Sequence, residues 1–166
     1  MTESTEKPIY RIRFQLHSIT GAAEDYYYAG RLCLDEFKKT FDSHYLFPAL
    51  VNYAFAGELY LKAVYIFENN KESRNIHSYH DLLAQLSEQT QEQVEHTYSC
   101  NDRKDCFSDA IKHYGDAFTK WRYRHEIVNA DSNVYDFVAL IDAIKTTCEQ
   151  KEAQIIAEMQ KSEGTI

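Results

Sequence analysis

Hydrophobic residues recur at helical spacing along most of the chain. A first helix is predicted over residues 22–41, where Tyr26, Ala29, Cys33 and Phe37 share one stripe. A second is predicted to begin near Ser43. Apolar periodicity sustained over several turns is typical of amphipathic helices that bury one face.

The predicted second helix is the most apolar segment. It tolerates Pro48 in its early turns and continues to about Asn70. As far as Phe67 it carries only two formal charges. A helix that is apolar nearly all round is typically buried, so this one is predicted to be central.

Four further helical segments are predicted after it. Ser78 and Asp81 form a capping box, and a short amphipathic piece covers residues 91–98. A longer helix is predicted from about Asn101, and a last helix after the turn at 129–132. The stripe of the longer helix contains Phe107, Ile111, Tyr114, Phe118, Trp121, His125 and Val128. The stripe of the last helix contains Val134, Phe137, Val138, Ile141, Ile144 and Cys148.

Residues 9–18 have a different pattern. Tyr10, Ile12, Phe14 and Leu16 alternate with polar residues, and a period of two favours a strand. The predicted fold is all-α: an antiparallel bundle of four to five main helices with an extended or strand-like N-terminal arm. Its domains are a tail and arm (1–20), the helical domain (21–160) and a C-terminal tail (161–166).

Composition narrows the class of protein. The 166 residues are 44% hydrophobic and 27% charged, a globular mixture, with only five Gly and two Pro. The net charge of −8 disfavours broad binding to phosphate backbones. Four cysteines without CxxC spacing, a polar N-terminus and short apolar runs predict a cytoplasmic protein without membrane spans, disulfides or cofactors.

The two charges of the apolar helix are Glu58 and Lys62, one turn apart in the order that favours an ion pair. Buried charges require partners. The pair is therefore predicted to lie inside the bundle near Arg122 or His80. It either braces the helices or faces a polar cleft.

The segment 74–81 contains two histidines. His77 and His80 could share a metal, but no third ligand is evident, so no metal site is predicted. The alternative is an ordinary helix start in which Ser78 and Asp81 cap the helix.

Residues 121–126 form the densest polar and aromatic cluster. His125 continues an apolar stripe, while Arg122 and Glu126 are one turn apart. Arginine suits a phosphate or a buried carboxylate equally. Arg122 or Arg124 is therefore predicted to contact Glu58 or Asp81, or an anion.

With these motifs the sequence resembles the HEPN domains, small helical bundles of prokaryotes and higher eukaryotes. The matching segments are Glu58–Ala63, His80–Leu83 and Phe118–Tyr123, and the resemblance spans residues 22–159. It implies a HEPN-like bundle that pairs as a homodimer. Many HEPN proteins are ribonucleases of toxin–antitoxin, phage-defence or RNA-processing systems.

The resemblance also implies a catalytic motif, an Arg followed a few residues later by a His. Arg124 matches the Arg, but Asn129 stands where the His is expected. Asn does not exchange protons near neutral pH, whereas His does. His125 is the neighbouring alternative.

Two functions are consistent with these residues. The first is a binding or scaffold module without nuclease activity, acting in a bacterial toxin–antitoxin, phage-defence or RNA-related system with an operon-encoded protein partner. The second is a metal-independent endoribonuclease that cuts RNA through Arg122, Arg124 and His125, with His80 as a further candidate, and whose ligand is RNA or a nucleotide. The predicted polar network contains Glu58, Lys62, His80, Asp81 and Glu126.

Overall fold

The structure is a computed structural model that describes residues 7–71, 75–99, 106–121 and 133–163, without the side chains of 7–16, 120, 159, 162 and 163. Within these ranges it is all-α, as predicted. Five helices have eight residues or more, and two have five. They are α1 (Lys7–Thr40), α2 (Ser43–Asn69), α3 (Tyr79–Leu83), α4 (Glu88–Ser99), α5 (Phe107–Tyr114), α6 (Ala117–Trp121) and α7 (Val134–Glu163).

Helix α2 is the central element and packs against α1, α3, α6 and α7. The Asp42 side chain caps its N-terminus by accepting a hydrogen bond from the His44 amide at 2.9 Å. Pro48 lies in its second turn. The helix ends where Asn70 adopts a left-handed conformation with a φ of 53°. The prediction of a central, buried second helix is confirmed.

Helix α1 corrects two predictions. It begins at Lys7, so the backbone of residues 9–18, predicted to be a strand, is helical. The same segment also fits a helical repeat, formed by Ile9, Ile12, Leu16 and Ile19. An alternation of period two over so few residues did not distinguish a strand from a helix. The helix is unbroken across residues 20 and 21, where an arm was predicted to meet the domain.

The buried line of α1 also differs from the predicted stripe. Ala23 and Leu34 are buried, whereas Tyr26 is 39% exposed. A Cβ atom on Gly30 would lie 3.0 Å from the Tyr53 ring. The absence of a side chain at Gly30 therefore allows α2 to approach α1 closely at this position.

The helix predicted to run continuously from about Asn101 is interrupted. Helix α5 ends at Tyr114, and α6 begins only at Ala117. The Gly115 carbonyl accepts a hydrogen bond at 2.7 Å from the Tyr79 amide, in the first turn of α3. Glycine has a low helix propensity, so interrupting the helix at this residue costs little free energy. The hydrogen bond ties α3 to the turn between α5 and α6.

Helix α7 completes the core with Phe137, Ile141, Ile144 and Cys148, as predicted. The Phe137 ring packs edge-on against Trp121 with centroids 4.5 Å apart. Asn133 caps the helix through a hydrogen bond from the Tyr135 amide at 3.1 Å.

Polar contacts join α7 to α1. The Tyr27 hydroxyl donates to Asp142 at 2.7 Å, and Lys145 donates to Glu24. Glu24 also accepts a hydrogen bond from the Tyr60 hydroxyl at 2.8 Å. Burial, together with this contact to Glu24, raises the pKa of Tyr60 well above its ordinary value.

A second polar group joins the far end of α2 to α4 and α7. Glu68 accepts hydrogen bonds from the Ser87 amide at 2.7 Å and the Thr90 hydroxyl at 2.5 Å. The Lys151 ammonium lies 3.2 Å from the same carboxylate.

No helix in the described ranges is both long enough and apolar enough to cross a bilayer.

Candidate functional site

Glu58 is the most buried carboxylate of α2, with 1% of its side chain exposed. Its Oε1 atom accepts a hydrogen bond from Lys62 Nζ at 2.7 Å, so the predicted buried ion pair is confirmed. The same atom lies 2.9 Å from Nδ1 of His77. One carboxylate oxygen thus joins α2 to the segment that precedes α3.

The other carboxylate oxygen, Oε2, is also buried and has no hydrogen-bond partner among the described residues. Nearby, the fully buried Tyr79 hydroxyl donates to the Ala54 carbonyl at 2.5 Å. Burial and the Glu58 charge raise the pKa of Tyr79 well above its ordinary value. Tyr79 therefore stays neutral and packs as a hydrogen-bonded aromatic residue.

Gly57 provides the room for this arrangement. A Cβ atom at this position would lie 2.6 Å from Ile141 Cδ1 and 2.7 Å from the Tyr79 hydroxyl oxygen. Both are closer than real Cβ contacts, so only glycine allows α2, α3 and α7 to converge beside Glu58.

His77 is the surface member of the network, because 52% of its side chain is exposed. The buried carboxylate orients the ring through Nδ1, and the ring remains half-exposed. A histidine held in this way can act as an acid, a base or a hydrogen-bonding group toward a ligand.

Among the described residues, the predicted network is found only in part. Glu58 and Lys62 are together, whereas the 72%-exposed His80 contacts its neighbour Asp81 at 3.2 Å. Glu126 lies outside the described residues. The sequence analysis considered His77 only as a metal ligand shared with His80 and did not place it in the network, whereas the structure brings it to Glu58. A buried carboxylate such as Glu58 needs more than one hydrogen-bond donor, and this requirement could have suggested a further partner. The sequence spacing does not identify which residue that partner is.

The predicted catalytic residues Arg122, Arg124, His125 and Asn129 also lie outside the described residues, so their predicted roles stay predictions. Among the residues that the structure does describe, no cluster of three or more His, Cys, Asp or Glu side chains could hold a metal ion.

A cleft of about 660 Å³, open to solvent, lies between α3 and α5. Its surface is mostly apolar and includes Leu83, Ala84, Phe107 and Ile111. The polar lining residues are Ser78, His80, Gln91, Ser108, Lys112 and Asp116. This volume and the mixture of apolar surface with a few polar groups are typical of binding sites.

The cleft and the Glu58 network are adjacent along the chain. His77 contacts Glu58, and the next residue, Ser78, lines the cleft and caps α3 by accepting from the Asp81 amide at 3.4 Å. The hydrogen bond from Tyr79 to Gly115 fixes α3 against the opposite wall. The buried network therefore positions one wall of the cleft.

Comparisons of the chain with protein-family models, with curated proteins and with solved structures found no match. The described residues form an all-α bundle, and the resemblance to HEPN domains stays a prediction from the sequence motifs.

Proposed function

We propose that the chain is a HEPN-like binding module that acts through its surface. The observation that carries the proposal is the cleft between α3 and α5. It exposes apolar surface from Ala84 and Phe107 in a concave site with a polar rim, the usual character of a binding site. The net charge of −8 favours a partner other than nucleic acid.

The biological setting of the proposal comes from the resemblance. HEPN proteins act in toxin–antitoxin, phage-defence and RNA-related systems, so the proposed partner is a protein encoded in the same operon. A second copy of the chain is the other proposed partner, as a two-fold dimer. Light scattering at tens of micromolar tests the dimer, and a monomer there contradicts it.

The test of the binding function is co-purification of the chain with the protein encoded beside it. Ala84 is exposed and lines the cleft, so Ala84→Trp fills the cleft without adding charge. The matched control, Ala157→Trp, places the same side chain on the exposed surface of α7. Loss of the partner only from Ala84→Trp supports the proposal, and retention by both variants contradicts it.

A second candidate function, a metal-independent endoribonuclease, is favoured by one specific observation. His77 is half-exposed and is oriented by the buried Glu58 carboxylate, an arrangement suited to general acid–base chemistry. In this candidate, Arg122 and Arg124 bind the phosphate, and His125 or His77 takes the proton.

Purified protein incubated with RNA tests this candidate. Cleavage that is lost in Arg124→Ala, and in either His125→Ala or His77→Gln, supports the nuclease and contradicts a purely binding role. An inert wild type together with RNA cleavage by Asn129→His indicates a degenerate site, consistent with the binding module.

A further inference from the structure

The face of α1 that points away from α2 carries an exposed apolar strip, formed by Gly21, Tyr28 and Leu32. Their spacings of seven and four residues place them along one line of the helix. Tyr28 is 52% exposed and Leu32 is 53% exposed, whereas Ala23 and Leu34 on the other face are buried. Adjacent exposed apolar side chains of this kind mark an interaction surface.

The strip contains both a projection and a gap. A Cβ atom on Gly21 would meet no heavy atom within 4 Å, so open space lies over this position. Leu32 projects from the same line eleven residues further on, which is about three turns of helix. The strip therefore presents a large apolar side chain and, three turns away, space of the kind that receives one.

Charged side chains of opposite sign border one edge of the strip. The exposed Arg31 guanidinium lies 5.0 Å from the centre of the Tyr28 ring. Glu24 lies seven residues before Arg31 on the same edge, and 50% of its side chain is exposed even though it accepts a hydrogen bond from Lys145. The edge thus carries an acid near the gap and a base near the projection.

We propose that this strip pairs with the same strip of a second copy of the chain, with the two α1 helices antiparallel across a two-fold axis. The inference rests on the proposed dimer and adds the surface that forms it. The axis lies midway between Gly21 and Leu32, so Leu32 of each copy packs over Gly21 of the other. The same symmetry brings Arg31 of each copy close to Glu24 of the other.

A second copy is the occupant that this surface fits, because the strip is complementary to itself only in the antiparallel arrangement. Parallel helices would set Leu32 against Leu32 and Arg31 against Arg31, and both Gly21 gaps would stay empty. Asp25 lies near the axis in the antiparallel pair, but it is at the opposite, exposed edge, where solvent and salt screen the repulsion between its two copies.

Light scattering of the full chain over a dilution series measures the dissociation constant of the dimer. We expect Leu32→Glu to raise this constant at least about tenfold, because a charge replaces the central apolar contact. The matched control is Ile156→Glu, the same kind of change at a 45%-exposed position of α7, and it should leave the constant unchanged. Gly21→Trp fills the gap and should also weaken the dimer at least about tenfold, whereas Ala157→Trp should not.

A charge reversal tests the edge of the strip independently of its apolar contacts. Arg31→Glu sets two carboxylates against each other across the interface and should raise the dissociation constant about threefold to tenfold, less at high salt. Lys71→Glu makes the same change in charge at an exposed position after α2 and should have no comparable effect. Circular dichroism verifies that each variant is folded.

Photo-cross-linking tests the antiparallel arrangement directly. Benzoylphenylalanine is placed at position 32, isotope-labelled and unlabelled chains are mixed, and peptides that join the two kinds of chain are identified by mass spectrometry. We expect position 32 to join to residues 17–25 of the other chain, around Gly21. Joining to residues 28–36 of the other chain would indicate parallel helices and overturn the inference.

The outcomes separate this surface from the proposed dimer. A wild-type chain that stays monomeric at tens of micromolar contradicts both. A dimer that withstands Leu32→Glu, Gly21→Trp and Arg31→Glu shows that the two copies pair through another surface, so the dimer stands and this inference fails.

Discussion

Nδ1 of His77 lies 2.9 Å from Oε1 of Glu58, so a side chain that is 52% exposed is anchored to a carboxylate that is 1% exposed. The loop before α3 thus depends on a charge in the interior of α2. The partner that keeps that charge inside is Lys62, at 2.7 Å from the same oxygen.

Replacement of Lys62 by Met should destabilise the fold, because it leaves a buried charge without its partner. Lys62→Met leaves Glu58 without its ammonium partner, and we expect the free energy of unfolding to fall by about 3 kcal/mol. Urea denaturation at neutral pH measures the change. Lys71→Met is the matched control, because Lys71 is exposed, and it should change stability by less than about 0.5 kcal/mol. Equal losses in the two variants would contradict a stabilising role of the pair.

Gly57 and Gly21 provide a second matched pair. Gly57→Ala places a methyl group 2.6 Å from Ile141 and 2.7 Å from Tyr79, and overpacking of this kind should destabilise the fold by about 2 kcal/mol. Gly21→Ala meets nothing within 4 Å and should stabilise helix α1 by about 0.5–1 kcal/mol. Thermal unfolding followed by circular dichroism should therefore shift in opposite directions. A stabilising Gly57→Ala would show that α2, α3 and α7 do not converge tightly there.

Glu68 should give the fold a defined dependence on pH. Burial alone would raise the pKa of Glu68, but the hydrogen bonds from Thr90 and Ser87 and the contact with Lys151 together lower it below its ordinary value of 4.5. A carboxyl whose pKa is lower in the folded state stabilises the fold above the unfolded pKa. That contribution is lost as the pH falls through the folded pKa.

The test of this dependence is Glu68→Gln. We expect it to lower the free energy of unfolding by about 1 kcal/mol at neutral pH, because the charged acceptor is lost. The difference from wild type should shrink as the pH falls below 4.5, where protonated Glu68 increasingly resembles Gln. Urea titrations across this range measure it, and a difference that does not vary with pH would contradict the assignment.

The cysteines should differ in reactivity. Burial, reinforced by Glu152 and Glu149, raises the pKa of the Cys148 thiol to about 12, while Cys106 is exposed. Iodoacetamide at mildly alkaline pH should label Cys106 in the native protein and Cys148 only after unfolding, because the thiolate is the nucleophile. Mass spectrometry of peptides distinguishes the sites. Rapid native labelling of Cys148 would contradict its burial in α7.

The sequence was most informative where local and tertiary signals agreed. Helix α2 was predicted to run from near Ser43 to about Asn70 and is observed over Ser43–Asn69, because a long apolar run with only two formal charges marks the element. The buried Glu58–Lys62 pair followed from the same run, since two charges at adjacent turns of a buried helix must be partnered.

Features that depend on tertiary contacts were not predicted. The apolar stripe continued from Ile111 to Trp121 and concealed the break at Gly115, whose carbonyl bonds to Tyr79 across the bundle. The contact of His77 with Glu58 joins residues 19 positions apart through the packing of α3 on α2. Both contacts join residues far apart in the sequence, so the spacing of neighbouring residues does not predict them.

The contacts between α1 and α7 have a consequence for synthesis on the ribosome. Tyr27 and Asp142 are separated by 115 residues, and Glu24 and Lys145 by 121. Helices α1 and α2 can pair as soon as both have emerged, but the side of α1 that binds α7 gains these contacts only once α7 has been made. The contacts of Tyr27 and Glu24 with α7 therefore form only after that helix has left the exit tunnel.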